Sequence, residues 1–354
     1  MKSRPNARPR PSSGGRKAGP SWADFDDDAL LDLRLCDLDL RLEGTELEAR
    51  INRLYAELEA RSIAMRPHCW LSEEWFSPDG VPGIALPFYL AHKRLAALED
   101  RMMLDVEGGT AEACLRILRH EAGHALDTAF RLHRRSDWRR VFGKASKPYP
   151  DHYQPRPHSR RYVLHLNSWY AQSHPSEDFA ETFAVWLSPD SDWRRDYADW
   201  PARRKLDYVD QLMTALAGEK PSVRARRHVE PLSEIRKTLR THYEEKRARF
   251  IAGHGQVYDR GLRRLFSPAP GRATQEAAAD FLRRARPELR RVVSDMTGEL
   301  EYTIDQVLQE MIMRCRHLRL YRQYGQRKSE EEAASLLAQQ TRNFLENGQH
   351  RFAL

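Results

Sequence analysis

Residues 117–126 read Ile-Leu-Arg-His-Glu-Ala-Gly-His-Ala-Leu, and the rest of the chain is best interpreted outward from them. His120, Glu121 and His124 form an HExxH pattern within apolar residues at helical spacing. On a helix, residues four apart lie about 6 Å from each other along the axis, so both imidazoles can reach one ion at about 2.0–2.1 Å. The stretch therefore predicts a zinc site on a helix over roughly residues 111–132.

Glu121 would project beside these imidazoles, where a carboxylate can take a proton from a metal-bound water as a general base. The small residues Ala122, Gly123 and Ala125 keep the helix slim, which predicts that another helix packs closely against it. The alternative is a partly solvated helix surface without a metal. Burial beside Leu118 disfavours that alternative, because buried imidazole and carboxylate groups without partners would cost several kcal/mol.

A catalytic zinc site also needs a third protein ligand and an open position. Residues 176–187, Ser-Glu-Asp-Phe-Ala-Glu-Thr-Phe-Ala-Val-Trp-Leu, follow Pro175 and predict a second helix that stops at Ser188. Glu177 and Glu181 lie four apart on one face of this helix. One of them is expected to bind the ion, and the other to hydrogen-bond a ligating histidine.

Other candidates for the third ligand, or for a contact with substrate, lie in the connection between the two helices. These are His152, His158, His165 and His174. His174 is the first choice among them, because its position beside Pro175 places it at the mouth of the second helix.

The pairing of HExxH with a downstream glutamate helix resembles the gluzincin metallopeptidases, and Glu-Asp-Phe-Ala-Glu-Thr-Phe resembles the ligand helix of anthrax lethal factor. That resemblance implies that Glu177 ligates zinc and that Glu181 lies behind it, with Asp127 matching a further acid of the zinc helix. It also places a transition-state tyrosine seven residues before the ligand glutamate, which is Tyr170 here (177 − 170). The alternative is that Tyr170, with Trp169, is an amphipathic core residue.

Over a longer span the chain is similar to the bacterial zinc-binding metallopeptidases, across roughly two thirds of its length. The similarity runs from the leucines near residue 33 through Leu-Pro-Phe-Tyr-Leu (86–90) to the two site helices. Pro- and Arg-rich sequence stands where some of those proteins have a cysteine-rich ribbon. The resemblance implies an α+β, mostly α, zincin-like fold that binds one Zn²⁺ ion and takes a peptide or protein substrate.

Composition sets limits on the class of protein. The chain has 354 residues, 40% hydrophobic and 31% charged, which allows a sizeable core and excludes wholesale disorder. No stretch approaches the roughly 20 apolar residues of a membrane span, and no apolar signal segment follows Met1. Four scattered cysteines form no CxxC pair, namely Cys36, Cys69, Cys114 and Cys315. We therefore expect a cytoplasmic protein with reduced thiols and no membrane partner.

The formal charge of +8 lies mostly at the start of the chain, because six basic residues precede the first acid, Asp24. They are Lys2, Arg4, Arg8, Arg10, Arg16 and Lys17. The remainder carries only +2 (8 − 6), so a nucleic-acid partner is disfavoured.

The pattern along the chain predicts three parts: a basic, Pro/Ser/Gly-rich tail (1–22), a zincin-like catalytic domain (23–217) and a helical C-terminal region (218–354). Within the second part, alternating leucines over residues 33–42 predict a strand with a bulge. Thr45 and Glu48 form a capping box that opens a helix. Aromatic and proline residues over 67–90 predict a small sheet of short strands.

These observations together predict a zinc-dependent metallopeptidase, with the ion held by His120, His124 and Glu177, and Glu121 as general base. Tyr170 would stabilise the oxyanion that develops on the scissile carbonyl. Two alternatives stay open. One is a catalytically inactive zincin-like protein that serves as an interaction module, and the other is a nucleic-acid-associated protein that uses the basic arm.

Overall fold

The computed structural model describes residues 21–103, 105–253, 257–270, 276–347 and 352–353. The α-helices of this part are α1 (Asp27–Leu31), α2 (Glu46–Ala60), α3 (Lys93–Met103), α4 (Ala111–Phe130), α5 (Ser136–Val141), α6 (Pro175–Leu187), α7 (Trp193–Asp196), α8 (Arg203–Ala215), α9 (Leu239–Gly253), α10 (Asp259–Leu265), α11 (Ala278–Thr297), α12 (Glu301–His317) and α13 (Gln326–Asn347). The strands are β1 (His68–Ser72), β2 (Gly83–Pro87), β3 (His152–Tyr153), β4 (Phe266–Ser267), β5 (Tyr321–Arg322) and β6 (Phe352–Ala353). The expected α+β, mostly α, architecture is confirmed.

The HExxH helix is α4, and its ends follow local signals. Thr110 caps its N-terminus, where the threonine side chain accepts a hydrogen bond from the Ala113 amide at 3.1 Å. Arg131 ends it in the left-handed conformation, with φ of 52°. The face that carries Leu118, Ala122 and Ala125 is fully buried.

Helix α6 begins at Pro175 and ends at Leu187, as the sequence predicts. It is buried along almost its whole length and packs directly on α4. A Cβ added at Gly123 would lie 2.9 Å from the Ala180 Cα, a distance that real Cβ atoms essentially never show. The predicted close approach of a second helix at the small residues of α4 is therefore confirmed.

A small sheet supports the other side of α4. Strands β1 and β2 are parallel, with His68 opposite Gly83 at one end and Ser72 opposite Pro87 at the other. Phe76 bridges to Ala85 on the opposite edge of β2. All five residues of β2 are buried, and the strand packs against α4. The prediction of short strands over 67–90 is confirmed.

Helix α2 opens at the predicted capping box, in which the Thr45 side chain accepts from the Glu48 amide at 3.1 Å. It is joined to α4 by an ion pair between Glu57 and Arg119, with N–O distances of 2.7 and 2.8 Å. Both side chains are buried, so this pair satisfies two charges that would otherwise be costly inside the protein.

The predicted strand over residues 33–42 is wrong. The structure has a 3₁₀ turn at Leu35–Leu38, followed by Asp39 in the left-handed conformation with φ of 43°. The turn buries Leu35 and Leu38 on one side. In the sequence, this three-residue spacing resembles the alternating apolar pattern of a strand that is interrupted by a bulge. The amides of Leu35 and Cys36 are bonded to carbonyls of residues 237 and 235, far away in the sequence.

The buried apolar residues form two clusters. The first runs from Trp22 to Tyr243 and encloses α4 and α6. The second runs from Tyr258 to Phe344 and lies among α10–α13. Trp169 is the exception, since it lies six residues before the start of α6 (175 − 169) but packs in the second cluster. No helix in the described part of the chain is both long enough and apolar enough to cross a bilayer.

The proposed division of the chain into three parts stays a prediction. Of the tail, residues 1–20 lie outside the described residues, and its last two residues enter a 3₁₀ turn at Ser21–Asp24. Leu239 and Tyr243 lie beyond the predicted boundary at residue 218 but pack in the first cluster.

Replacing Gly123 with alanine is expected to lower the free energy of unfolding, because the added methyl group would press on the backbone of α6. Overpacking typically costs about 1–3 kcal/mol, which exceeds the gain of about 1 kcal/mol in helix propensity. Urea denaturation measures the change. Gly325→Ala is the matched control, because an added Cβ there meets nothing within 4 Å. A Gly123→Ala protein as stable as the parent would contradict this packing.

Candidate metal centre

Side chains from α4 and α6 converge on one point. The Nε2 atoms of His120 and His124 lie 3.1 Å apart. Each of them lies 3.0 Å from the same carboxylate oxygen, Oε2 of Glu177. His120 and Glu177 are buried, while His124 is partly exposed to the cleft. The structure therefore brings together the three ligands expected from the sequence.

These donor atoms fit a tetrahedral ion. Ligands at about 2.0–2.1 Å from a tetrahedral zinc ion lie about 3.3 Å from one another. The observed spacings of 3.0 and 3.1 Å differ from that value by only a few tenths of an ångström. Two imidazoles and one carboxylate also form a ligand set typical of catalytic zinc. The group can hold a metal ion of this kind.

Glu181 supports the site from behind. Its Oε1 accepts a hydrogen bond from Nδ1 of His120 at 2.8 Å, and its Oε2 accepts from the Leu166 amide at 2.9 Å. Because the carboxylate can only accept, the His120 proton is placed on Nδ1, and the Nε2 lone pair faces the convergence point. Glu181 thus fixes the orientation of the His120 ring.

The charges around the convergence point favour a cation. Burial disfavours ionisation of Glu177, but His124 and His120 outweigh that effect and hold its pKa well below the usual range. Burial also lowers the pKa of His120, whereas Glu177 and Glu181 raise it, and the carboxylates prevail. An ionised carboxylate is the form that binds a metal ion.

Glu121 is buried on α4 beside the three ligands, with 8% of its surface exposed. Within the described part of the chain, its Oε2 is buried without a hydrogen-bond partner. A buried carboxylate oxygen without a partner is costly in a folded protein, and such atoms cluster where a ligand or reactant completes them. The side chain is therefore positioned to act on a molecule in the cleft.

Tyr170 also reaches the site, with its ring centroid 5.6 Å from that of His120. Burial raises the pKa of the phenol, so its hydroxyl stays protonated and can donate. The two preceding residues are both left-handed, with φ of 61° at Ser168 and 54° at Trp169. That conformation costs about 1–2 kcal/mol for each residue other than glycine. The turn that carries Tyr170 is therefore strained and must be held by its surroundings.

His174 has a different position from the one expected. It caps the N-terminus of α6, where its Nδ1 accepts from the Ser176 amide at 3.2 Å. Its Nε2 donates to the Lys147 carbonyl at 2.9 Å, and only 4% of the residue is exposed. Because both ring nitrogens are bonded to the backbone, the ring is not available to an ion or a substrate.

The remaining histidines of the connection also lie outside the ligand set. Burial lowers the pKa of His165 to about 4, and the ring donates from Nε2 to the Arg116 carbonyl at 2.9 Å. His152 and His158 are exposed. His165 therefore packs behind α4 as a neutral ring.

Asp127 does not contact the ligating histidines among the described hydrogen bonds. Its two carboxylate oxygens accept from the amide and from Nδ1 of His133, at 2.6 and 2.9 Å. These bonds hold the chain where it leaves α4. The acid that the resemblance matches to the zinc helix therefore contacts His133 and stabilises the end of the helix.

Tyr149 is a site residue that sequence reasoning missed. Its hydroxyl donates to Oε1 of Glu177 at 2.7 Å, while Oε2 faces the two histidines. Its ring stacks on His174, with centroids 3.9 Å apart. Tyr149 lies in the connection before α6, where the sequence has no periodic pattern. The signal that could have indicated it is an aromatic residue between Lys147 and Pro150.

The convergence point opens into a cleft of about 1480 Å³. One wall is α4, along the face from Glu112 to Arg131. Trp75 and Phe76, next to the small sheet, line another part, and α11 and α12 contribute residues such as Arg283 and Gln309. Both hydrophobic clusters therefore help to form the walls.

An HExxH helix, a glutamate helix packed on it and an open cleft at their junction form a candidate metal centre of two histidines and one glutamate. Residues 112–191 match a protein family described as "Putative zinc-binding metallo-peptidase". The match covers α4, the connection and α6, and over this segment it confirms the resemblance seen in the sequence. No curated protein and no solved structure matches the chain.

Replacing Glu181 with glutamine is expected to weaken metal binding about 10- to 100-fold, because the charge that supports His120 is lost while the shape is kept. Competition with a chromophoric chelator gives the dissociation constant for zinc. Glu59→Gln is the control, since that carboxylate is exposed on α2 and pairs with Arg66 at the surface. Equal zinc affinity in the Glu181→Gln and parent proteins would exclude this role.

Proposed function

We propose that this protein is a zinc-dependent metallopeptidase that hydrolyses peptide bonds at the centre formed by His120, His124 and Glu177. The observation that carries the proposal is the buried, unpartnered Oε2 of Glu121 beside these ligands, within the described residues. The family match over residues 112–191 supports the same class of activity. A zinc ion bound there supplies Lewis acidity to the scissile carbonyl and lowers the pKa of water.

The chain's own residues provide the proton transfer and orientation. Glu121 accepts the proton of the attacking water and passes it to the leaving amine. Tyr170 donates its hydroxyl proton in a hydrogen bond to the oxyanion that develops on the carbonyl. Glu181 and Tyr149 hold His120 and Glu177 in their ligating orientations, through bonds of 2.8 and 2.7 Å.

Replacing Glu121 with glutamine is expected to abolish cleavage and preserve zinc binding, because the amide keeps the size of the side chain but cannot accept the proton. Loss of a general base typically lowers kcat about 10²–10⁴-fold. Zinc content by elemental analysis and cleavage of a casein substrate are the two measurements. Glu234→Gln, at an exposed carboxylate on a 3₁₀ turn, is the control. Cleavage that depends on zinc and persists in Glu121→Gln would contradict the mechanism.

The cleft further supports an endopeptidase. Its α4 wall extends from Glu112 to Arg131, which is about 28 Å of helix, and His120 lies about 12 Å from one end and about 16 Å from the other. An extended peptide rises about 3.3 Å per residue, so about three to five residues fit on each side of the centre. We propose that the substrate is an internal stretch of an unfolded or flexible polypeptide.

A peptide of about ten residues, acetylated at its N-terminus and amidated at its C-terminus, is expected to be cut near its middle. Single-residue anilides with a free amino group are expected to react much more slowly, since they occupy only one side of the cleft. Mass spectrometry of the products locates the cut. Cleavage restricted to substrates with a free terminus would instead indicate an exopeptidase.

We also infer a cytoplasmic location and, from the family resemblance, a bacterial source. The four cysteines are free thiols in the structure, which supports a reducing compartment.

A further inference from the structure

The turn that carries Tyr170 is bonded to α12, a helix of the second hydrophobic cluster. The Ser168 amide donates to Oε1 of Gln306 at 2.7 Å, and the Trp169 amide donates to the Tyr302 hydroxyl at 2.9 Å. The same hydroxyl donates to the Leu166 carbonyl. One helix from outside the metal centre therefore satisfies three backbone groups within residues 166–169.

The side chains of the turn contact α12 and also α13, the helix that carries Phe344. The indole of Trp169 is 1% exposed and lies 5.4 Å, centroid to centroid, from both Tyr302 and Phe344. Asn167 donates to Gln309 at 3.0 Å and accepts from Gln306 at 3.3 Å. These contacts place the turn in the second cluster, although α6 follows it within a few residues.

The two amides that donate hydrogen bonds to side chains of α12 belong to the two left-handed residues, Ser168 and Trp169. Without those acceptors, the residues would relax toward the allowed region of negative φ, and the chain would leave the turn in another direction. Tyr170 is the next residue, so its ring would no longer lie 5.6 Å from that of His120. The position of the phenol depends on the bonds to α12.

We propose that Tyr302 and Gln306 are positioning residues that hold Tyr170 at the metal centre. Through them, α12 raises the rate of the chemical step although it contributes no metal ligand. This inference rests on the role of Tyr170 under the proposed function. The three proposed ligands lie on α4 and α6, and among the described hydrogen bonds those of Tyr302 go to Leu166 and Trp169 and to neither of these helices.

Tyr302→Phe in the full chain is expected to lower kcat at least about tenfold, with KM and zinc affinity changed less than about threefold. Tyr258→Phe is the matched control: Tyr258 lies in the same cluster, and among the described hydrogen bonds none joins it to residues 166–170. Gln306→Leu is expected to act like Tyr302→Phe. Gln306→Glu keeps an acceptor for the Ser168 amide and should restore most of the rate.

A double-mutant cycle tests whether the effect passes through the phenol. In a Tyr170→Phe background, Tyr302→Phe is expected to cause no further loss of kcat. An equal loss of kcat in both backgrounds would overturn the proposal, because Tyr302 would then act independently of Tyr170. Loss of zinc in Tyr302→Phe would also overturn it, since the contact would be supporting the metal centre as a whole.

Amide hydrogen exchange gives a readout that does not need activity. The amides of Ser168 and Trp169 are expected to be protected in the parent and in Tyr258→Phe, and to exchange faster in Tyr302→Phe and Gln306→Leu. Unchanged protection in both variants would overturn the proposal. Because this measurement is independent of turnover, it separates failure of the positioning role from failure of the peptidase assignment, which the Glu121→Gln protein tests.

Discussion

The close packing of α6 on α4 is the constraint on which the centre depends. With no side chain at Gly123, the backbone of Ala180 can approach the HExxH helix, and an added Cβ would lie only 2.9 Å away. Glu177 and Glu181 stand one turn apart on α6 and face His120 and His124, one turn apart on α4. One helix pair thus supplies the three candidate ligands and the carboxylate that orients His120.

Most of this pair could be predicted from sequence because the signals are local. HExxH spacing indicates the ligating face, while Pro175 and Ser188 delimit the second helix within a residue of its observed ends. The same logic extends to His174. A proline at the first helical position makes the preceding residue the N-cap, so the structural role of this histidine could have been assigned before its candidacy as a ligand.

The wrong strand and the missed Tyr149 share a physical origin in contacts between residues that are distant in sequence. The alternation of leucines over 33–42 predicts a strand, but the amides of Leu35 and Cys36 find their acceptors about two hundred residues later. Tyr149 reaches Glu177 through an irregular connection, whose path has no periodic signature. For Asp127 the deciding contact is local: the resemblance matches it to an acid of the zinc helix, but His133, six residues later, donates to both of its carboxylate oxygens.

The two hydrophobic clusters meet different requirements of the peptidase centre proposed above. The three candidate ligands keep their mutual spacing because they lie on α4 and α6, which are packed together in the first cluster. A hydrogen bond to a developing oxyanion tolerates little displacement, since its strength falls steeply with distance and angle. Tyr170 follows two strained residues, and a turn of that kind is determined only where rigid neighbours hold it on several sides. The stacking of Trp169 on Phe344 within the second cluster holds the turn in this way. The packing of the C-terminal helices beside α4 therefore stabilises the position of Tyr170.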